Sequence, residues 1–526
     1  MKKINNLEYL KLNKFKRLLY KIASFFIAIP VAFKNLGIKI WHAIKKFGLT
    51  IKDIFVTIGT TFAKGSWKTR VSYFIMGFGN ISRKQYLKGL LFLLFEGVFT
   101  AYMFIAGGHW LAKFATLGTV QRQINVYIPE LDQYGDIEGD DSFKILLYGL
   151  LTILFIVALV FTWYLNVKQN KICDEIEASG KKVKSNKDDL RSLVDDQFHK
   201  TLLSLPLTGI LLFTVIPIIF MVLVAFTNYD KDHDGYANLF TWVGLDNFNT
   251  LFSSSTGSLG YAFGEILAWT LMWAVLATFT NYFLGMAVAM LINKKGIRLK
   301  KMWRTILVMT IAIPQFISLI YVSNMFYGDG IINGFLKDIG LLDDLYRLFD
   351  NLNLLKDGIS FPNKIDFWGE PKIARILVVI INIWVGIPYV MLISTGVLMN
   401  IPQDLYESAK IDGANVWDQY VKITLPYMLF VTGPYLLTSF IGNINNFNII
   451  YLLTGGGPAN NSLSTPGGNA GDTDLLITWL FNITTGEEAN YKVASVVGIL
   501  IFVVVAILSL IIYNVMPSTK NEEDFS

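Results

Sequence analysis

The chain has 526 residues, 53% of them hydrophobic and only 16% charged, with a mean hydropathy of +0.46. Soluble domains carry about 25% charged residues, so this balance points to a polytopic membrane protein. One cysteine, Cys173, rules out an intrachain disulfide framework or a cysteine metal cluster; the four histidines are scattered, and no Gly-x4-Gly-Lys-Ser/Thr loop is present to cradle ATP phosphates.

Residues 1–85 carry 17 basic side chains against Glu8 and Asp53, which leaves the rest of the chain net negative. Short apolar stretches at 22–33 and 54–62 alternate with lysines and read as interfacial amphipathic helices on an anionic inner leaflet, with an anchoring role. A secretory signal peptide is the competing reading; recurring lysines and the lack of a small-x-small cleavage site speak against it. Apolar runs of about 20 residues then place eight transmembrane helices near 87–111, 144–165, 202–226, 264–292, 305–326, 373–398, 425–452 and 493–516, an all-α membrane fold. With the N-terminus inside, inner segments hold 34 Lys and Arg and outer loops 7, which puts both termini in the cytoplasm. Domain boundaries follow: a basic segment 1–85, two accessory helices with a solvated connector at 86–200, a six-helix core at 201–516 and a tail at 517–526. Outer loop 112–143 holds six acidic residues and too few apolar ones for a core of its own, while loop 453–491 opens on the turn-rich Gly455-Gly456-Gly457-Pro458.

Ionisable residues within spans are few. Glu96 in the first and Glu265 near the outer end of the fourth have no basic partner in their own spans, and a structural role is preferred for Glu96 over a transport one. The core spans carry uncharged polar groups instead. Asn382, Gly386 and Tyr389 are spaced four and three apart on one face of the sixth span, and Ser439, Asn443 and Asn446 repeat that spacing in the seventh. Amides offer donors and acceptors and rings offer flat apolar surface, a combination suited to a neutral polyhydroxylated ligand. Interhelical hydrogen bonding uses the same residue types. Pro314 and Pro388 are expected to interrupt the fifth and sixth spans at mid-depth, which fits alternating access.

Between the sixth and seventh spans, residues 407–426 read ESAKIDGANVWDQYVKITLP. Pro402 and Asp404 suit a first helical turn, Asp412-Gly413 a stop, and a second short helix should run from about 415 to 421. This helix–turn–helix knob resembles the coupling loop of ABC-importer permeases, Glu-Ala-Ala, three residues, Gly, nine residues, Ile-x-Leu-Pro. Glu407, Ala409, Gly413, Ile423, Leu425 and Pro426 match, Ser408 replaces the middle Ala, and Asp412 precedes the glycine. The resemblance implies docking on a partner ATPase, where ATP and Mg would bind; no cofactor is expected on this chain.

Segments 310–322, 380–391 and 439–458 are similar to the fifth, sixth and seventh spans of MalF-type permeases of maltose and maltodextrin importers, over roughly residues 200–516. That likeness implies one oligosaccharide held at mid-membrane by Asn382, Val385, Gly386, Tyr389, Ser439, Asn443 and Asn446, with Gln315 beside them. Ile311, Gln315 and Gly442 stand where the family has Tyr, Ser and Phe, which implies a wider cavity or a different oligosaccharide. The implied partners are a second homologous permease (MalG-type), an ATPase dimer (MalK-type), an extracytoplasmic maltodextrin-binding protein (MalE-type) and membrane lipid, without nucleic acid. Other function classes fare worse. A membrane glycosyltransferase would need catalytic acids near an interface, and an ion-coupled transporter would need paired ionisable residues within spans.

Overall fold

The computed structural model describes residues 14–128, 132–183, 185–250, 255, 257–294, 296–355, 364–465, 468–486 and 488–515. Packing divides the chain into two compact units, residues 37–247 in one and the remainder in the other. Among the described residues, six helices are long and apolar enough to cross a membrane, and up to eight spans result if each of two bent helix pairs is one span.

The alternating apolar and basic stretches form one helix, α1 (Lys14–Lys64), rather than several, and its residues 37–64 belong to the unit of residues 37–247. The Arg70 guanidinium closes its end, donating to the carbonyls of Phe62 at 3.0 Å and Ala63 at 2.9 Å, groups the last helical turn leaves unpaired. Two short helices follow, α2 (Trp67–Val71) and α3 (Phe78–Ile81). Helix α4 (Tyr86–Tyr102) continues through a π turn into α5 (Gly108–Phe114) as one 29-residue apolar helix. A small antiparallel hairpin, β1 (Gln123–Ile128) and β2 (Gln133–Ile137), adds strand to the expected all-α fold. Helix α6 (Ser142–Ala178), the capped connector helix α7 (Asn186–Val194), α8 (Phe198–Ile210) and α9 (Ile216–Val224) complete the unit.

A buried polar knot joins α2, α3 and α6. The Arg83 guanidinium donates to Gly79 O, Asn170 Oδ1, Ser66 Oγ and Thr69 Oγ1, and pairs with Asp174 at 2.5 Å and Glu177 at 3.1 Å. A buried charge is tolerable only when its donors are used in this way. Glu96 finds its partner outside its own span, accepting the Met76 N–H at 2.7 Å. At the other end of α6, burial would raise the Asp140 carboxyl, but the Lys113 ammonium and the Thr119 and Val120 N–H groups outweigh it and hold it at about 2.

The second unit is built around α10 (Leu259–Asn293) packed along α15 (Pro371–Met399). Two glycines let the backbones approach: a Cβ at Gly285 would meet Val390 Cβ at 2.6 Å, and one at Gly386 would meet the Asn281 amide at 2.3 Å. Helices α11 (Lys300–Ala312) and α12 (Gln315–Met325) are bent by 90° at Ile313-Pro314. Helices α13 (Ile331–Asp338) and α14 (Leu342–Asn351) lie in the following loop. Pro388 does not interrupt α15 as the sequence suggested; the helix is continuous through it.

The seventh predicted span is three helices instead of one. After α16 (Gln403–Ile411) and α17 (Val416–Gln419), a π turn leads into α18 (Leu425–Val431), which meets α19 (Gly433–Ile444) at a 64° bend. A second break at Asn445-Asn446 starts α20 (Phe447–Leu453). The last helices are α21 (Leu476–Thr485) and α22 (Tyr491–Val515).

Candidate functional site

A cleft of about 570 Å³ opens where α12, α15, α19 and α20 meet. It is lined by Gln315, Tyr389, Tyr435, Thr438, Ser439, Gly442, Asn443, Asn445, Asn446, Phe447 and Asn448. None of these side chains is charged. The 90° bend brings Gln315, the first residue of α12, into the wall, and the break between α19 and α20 turns a run of asparagines toward it. Of the residues singled out from sequence, Gln315, Tyr389, Ser439, Asn443 and Asn446 meet in this cleft. Asn382, Val385 and Gly386 lie apart from its lining. Asn382 is buried with its Nδ2 unpartnered, Val385 packs on the apolar core, and Gly386 receives Asn281 of α10.

The amides in the cleft divide into committed and free. Asn443 Nδ2 donates to Thr278 Oγ1 of α10 at 3.0 Å, while the Trp273 indole N–H donates to the Asn443 backbone carbonyl at 3.0 Å. Asn446 does not extend the helical stripe of Ser439 and Asn443. It caps α20, accepting the Ile449 N–H, and its amide donates to Asn443 Oδ1 at 3.4 Å. Gln315, Tyr389 and Asn448 carry no such bonds among the described residues. The period-based reading missed Asn448 and Phe447, because it assumed one straight helix, and Thr438, which is next to Ser439 on α19 and off its stripe. The signal was the sequence itself: Asn443-Ile444-Asn445-Asn446 is a poor helix interior.

At one end of this region the loop preceding α21 buries Asp474, whose Oδ2 accepts the Gly471 N–H at 2.8 Å and whose Oδ1 is unpartnered. Burial pushes its carboxyl up to about 6, against the Gly471 N–H and the Thr478 hydroxyl, which favour the ionised form. Nearby, Arg375 of α15 donates to Asp472 O at 2.6 Å, stacks over the Trp269 ring and supplies the positive charge that Glu265 lacks in its own helix.

The knob at 403–424 has the expected helix–turn–helix form, with one difference: its second helix runs on into the span instead of ending near residue 421. Gly413 sits at φ +78°, with its N–H on Lys410 O and the next N–H on Ala409 O, the Schellman closure of α16. Asn415 caps α17 through the Asp418 N–H at 2.8 Å. Glu407, Ser408, Asp412 and Gly413 are exposed, as are the apolar side chains of Leu405, Ile411, Val416 and Trp417. Ala409, Ile423 and Leu425 are half-buried, and Pro426 opens the helix that follows.

A many-helix apolar chain with an uncharged central cleft and an exposed knob is a membrane transport component. The profile of the family described as "Binding-protein-dependent transport system inner membrane component" matches residues 281–518. The chain is 33% identical over 451 residues to the maltodextrin transport system permease protein MalC of Streptococcus pneumoniae, covering 85% of this chain and 95% of that one. It is 32% identical over 465 residues to the maltodextrin transport system permease protein MdxF of Bacillus subtilis, covering 88% and 98%. To the galactooligosaccharides transport system permease protein GanP of Bacillus subtilis it is 31% identical over 451 residues, covering 85% and 97%. The chain belongs to this family of transport-system permeases, as a multi-pass membrane subunit rather than an enzyme.

Proposed function

We propose that this chain is the permease subunit of an ATP-driven importer that moves neutral oligosaccharides of the maltodextrin type by alternating access. The observation that carries the reading is the cleft. Its volume of about 570 Å³ falls within the range of small-molecule sites, and its lining is amide, hydroxyl and aromatic without a single charge. Such a lining exchanges hydrogen bonds with sugar hydroxyls and offers Tyr389 and Phe447 as flat surfaces. It gives no counter-ion to an acidic sugar or a phosphodiester. The names of the relatives support maltodextrin. A galactooligosaccharide is the second reading, favoured by a relative of that name that is similar to nearly the same degree.

In this reading eight spans cross the membrane, each bent pair counting as one, with residues 201–516 as the permease core and both termini on the cytoplasmic side. The subunit pairs with a second homologous permease, two copies of an ATPase that hold ATP and Mg, and an extracytoplasmic solute-binding protein. The knob docks on the ATPase through its exposed apolar residues, and closure of the ATPase dimer moves α16 and the rigidly continued α17–α18 against the cleft.

The test is uptake of labelled maltotetraose and of a galactotetraose in cells lacking this gene. The wild-type gene is expected to restore maltotetraose uptake, and Tyr389→Ala to lower it with the subunit still assembled. Restoration of the galactose series alone would move the assignment to the second reading, and restoration of neither would overturn both. Gly413→Val forces a β-branched residue into left-handed backbone, whereas Gly413→Asn is tolerated there. Uptake should therefore fail for Val and persist for Asn, and equal uptake in both would remove the coupling role.

A further inference from the structure

The C-terminal half of α1 is amphipathic, and among the described residues its apolar face is left largely exposed. Ile44, Phe47, Ile51, Phe55 and Phe62 recur at spacings of three, four, four and seven, lie along one side of the helix and are exposed. Lys39, Lys45, Lys46, Lys52 and Lys64 flank and oppose that side, with Asp53 the only acid between residues 37 and 64.

Two features fix where this face sits. The end of α1 is clamped to the accessory helices: Arg70 holds its last carbonyls, Tyr73 Oη donates to Ile58 O at 2.7 Å, and the Ser66 N–H just beyond donates to Asp174 of α6. A ladder of rings also sets its height. Phe62 lies 5.2 Å from Tyr73, and Tyr73 lies 5.5 Å from Trp163, whose indole N–H donates to the Tyr73 carbonyl. Trp163 stands where the apolar run of α6 gives way to Asn166, Lys168, Gln169, Asn170 and Lys171. That position on a spanning helix is the water–hydrocarbon boundary, where tryptophan is enriched.

We propose that residues 37–64 of α1 form a docking surface for the anionic lipid surface of the membrane that the chain spans. The apolar side enters the headgroup–acyl boundary and the lysines lie against lipid phosphates. Charge complementarity selects this occupant over a protein groove, because an excess of four lysines around an apolar stripe matches an anionic bilayer. The docked helix is in rigid register with α6 through the Arg70 and Arg83 clamps, which makes it a fixed brace at the base of the accessory spans.

The test uses the full chain in nanodiscs, in a Cys173→Ser background or with the buried Cys173 retained if that variant does not fold. Nitroxides are attached at Ile44→Cys, Phe47→Cys, Ile51→Cys and Phe55→Cys, and separately at Lys46→Cys, Thr50→Cys and Asp53→Cys. In discs containing phosphatidylglycerol, the first set should collide preferentially with oxygen and the second with an aqueous nickel chelate. The contrast should shrink in phosphatidylcholine discs, and equally in phosphatidylglycerol discs for Lys45→Gln/Lys46→Gln/Lys52→Gln. Aqueous accessibility of both sets in phosphatidylglycerol discs would overturn the proposal. So would equal protection in both lipids, which removes the role of charge, or protection that appears only with other subunits bound, which assigns the face to a protein.

Discussion

Two prolines at similar depth in neighbouring spans have opposite effects. At Pro314 the chain breaks: Ile313 adopts extended backbone, as the residue before proline prefers, and α11 and α12 diverge by 90°. At Pro388 the helix runs through unbroken. The difference lies in the surroundings. Residues 311–314 are exposed on every side in this chain, so nothing opposes the local preference. Pro388 is buried, and the helix on either side of it is held against α10 by Gly386, which receives Asn281, and by Val390, which fills the space left by Gly285. A helix held along its length by a partner keeps its course past a proline, and an unsupported one does not. The supported helix is the scaffold, and the unsupported one bends to deliver Gln315 to the cleft.

The most severe way to break this contrast is Gly386→Leu. Overpacking typically costs about 1–3 kcal/mol, and here the new side chain meets the whole Asn281 amide at a fully packed seam. The variant should lose most folded protein, measured as monodisperse yield and melting temperature. Asn281→Ala should partly rescue Gly386→Ala; no rescue would mean that the seam is not what supports α15. The next effect is functional. Pro314→Ala lowers the cost of a straight helix by up to ~3 kcal/mol. Uptake should fall while the melting temperature holds or rises, and normal uptake would mean that the bend is not needed for transport.

A subtler lever is the α10 contact to the cleft. Thr278→Val keeps the shape but leaves the Asn443 amide without its acceptor, a loss of about 1 kcal/mol or roughly fivefold in apparent affinity. The apparent KM for sugar should rise and Thr278→Ser should restore it, with maximal uptake little changed. A change in maximal uptake alone would show that Thr278 acts on folding rather than on the site.

These cases also mark what the sequence could tell. Apolar runs and the spacing of 407–426 were enough for the membrane class and for the knob, because both depend on local pattern and on backbone needs such as the positive φ of Gly413. Of the eight proposed cleft residues five come together, but only Ser439 and Asn443 do so through a shared helix face; Tyr389 is the one member of its stripe in the lining, and Gln315 and Asn446 arrive through breaks in the chain. What period alone could not give was whether a helix continues. Pro388 and Asn446 were misjudged in opposite directions, one as a break that packing suppresses, the other as a helical position that is in fact a cap. The Arg83 knot was invisible as well, since its partners lie 87 to 94 positions away in α6 as well as close by.

Proton linkage gives a smaller effect, at the loop before α21. Asp474 has a folded pKa of about 6 against an ordinary value of 3.8, so the folded state binds the extra proton between these values. Stability is therefore greatest below about pH 4 for this group, declines as pH rises through 6, and is level above it. Asp474→Asn should flatten that decline in melting temperature between pH 4 and 7. A slope equal to wild type would place the titrating group elsewhere.

The smallest expected effect sharpens the comparison most. Pro388→Ala removes a residue that normally costs a helix interior about 3 kcal/mol relative to Ala, yet it also removes ring atoms from a buried position. The two terms oppose each other, and because α10 already holds α15 straight, little conformational gain is available. Melting temperature and uptake should both stay close to wild type, in contrast to Pro314→Ala. If Pro388→Ala instead abolished uptake with folding intact, α15 would have to bend at this point during the cycle. The straight helix would then be one state of a hinge whose other state frees it from α10, and the division into a bending helix and a scaffold would fail.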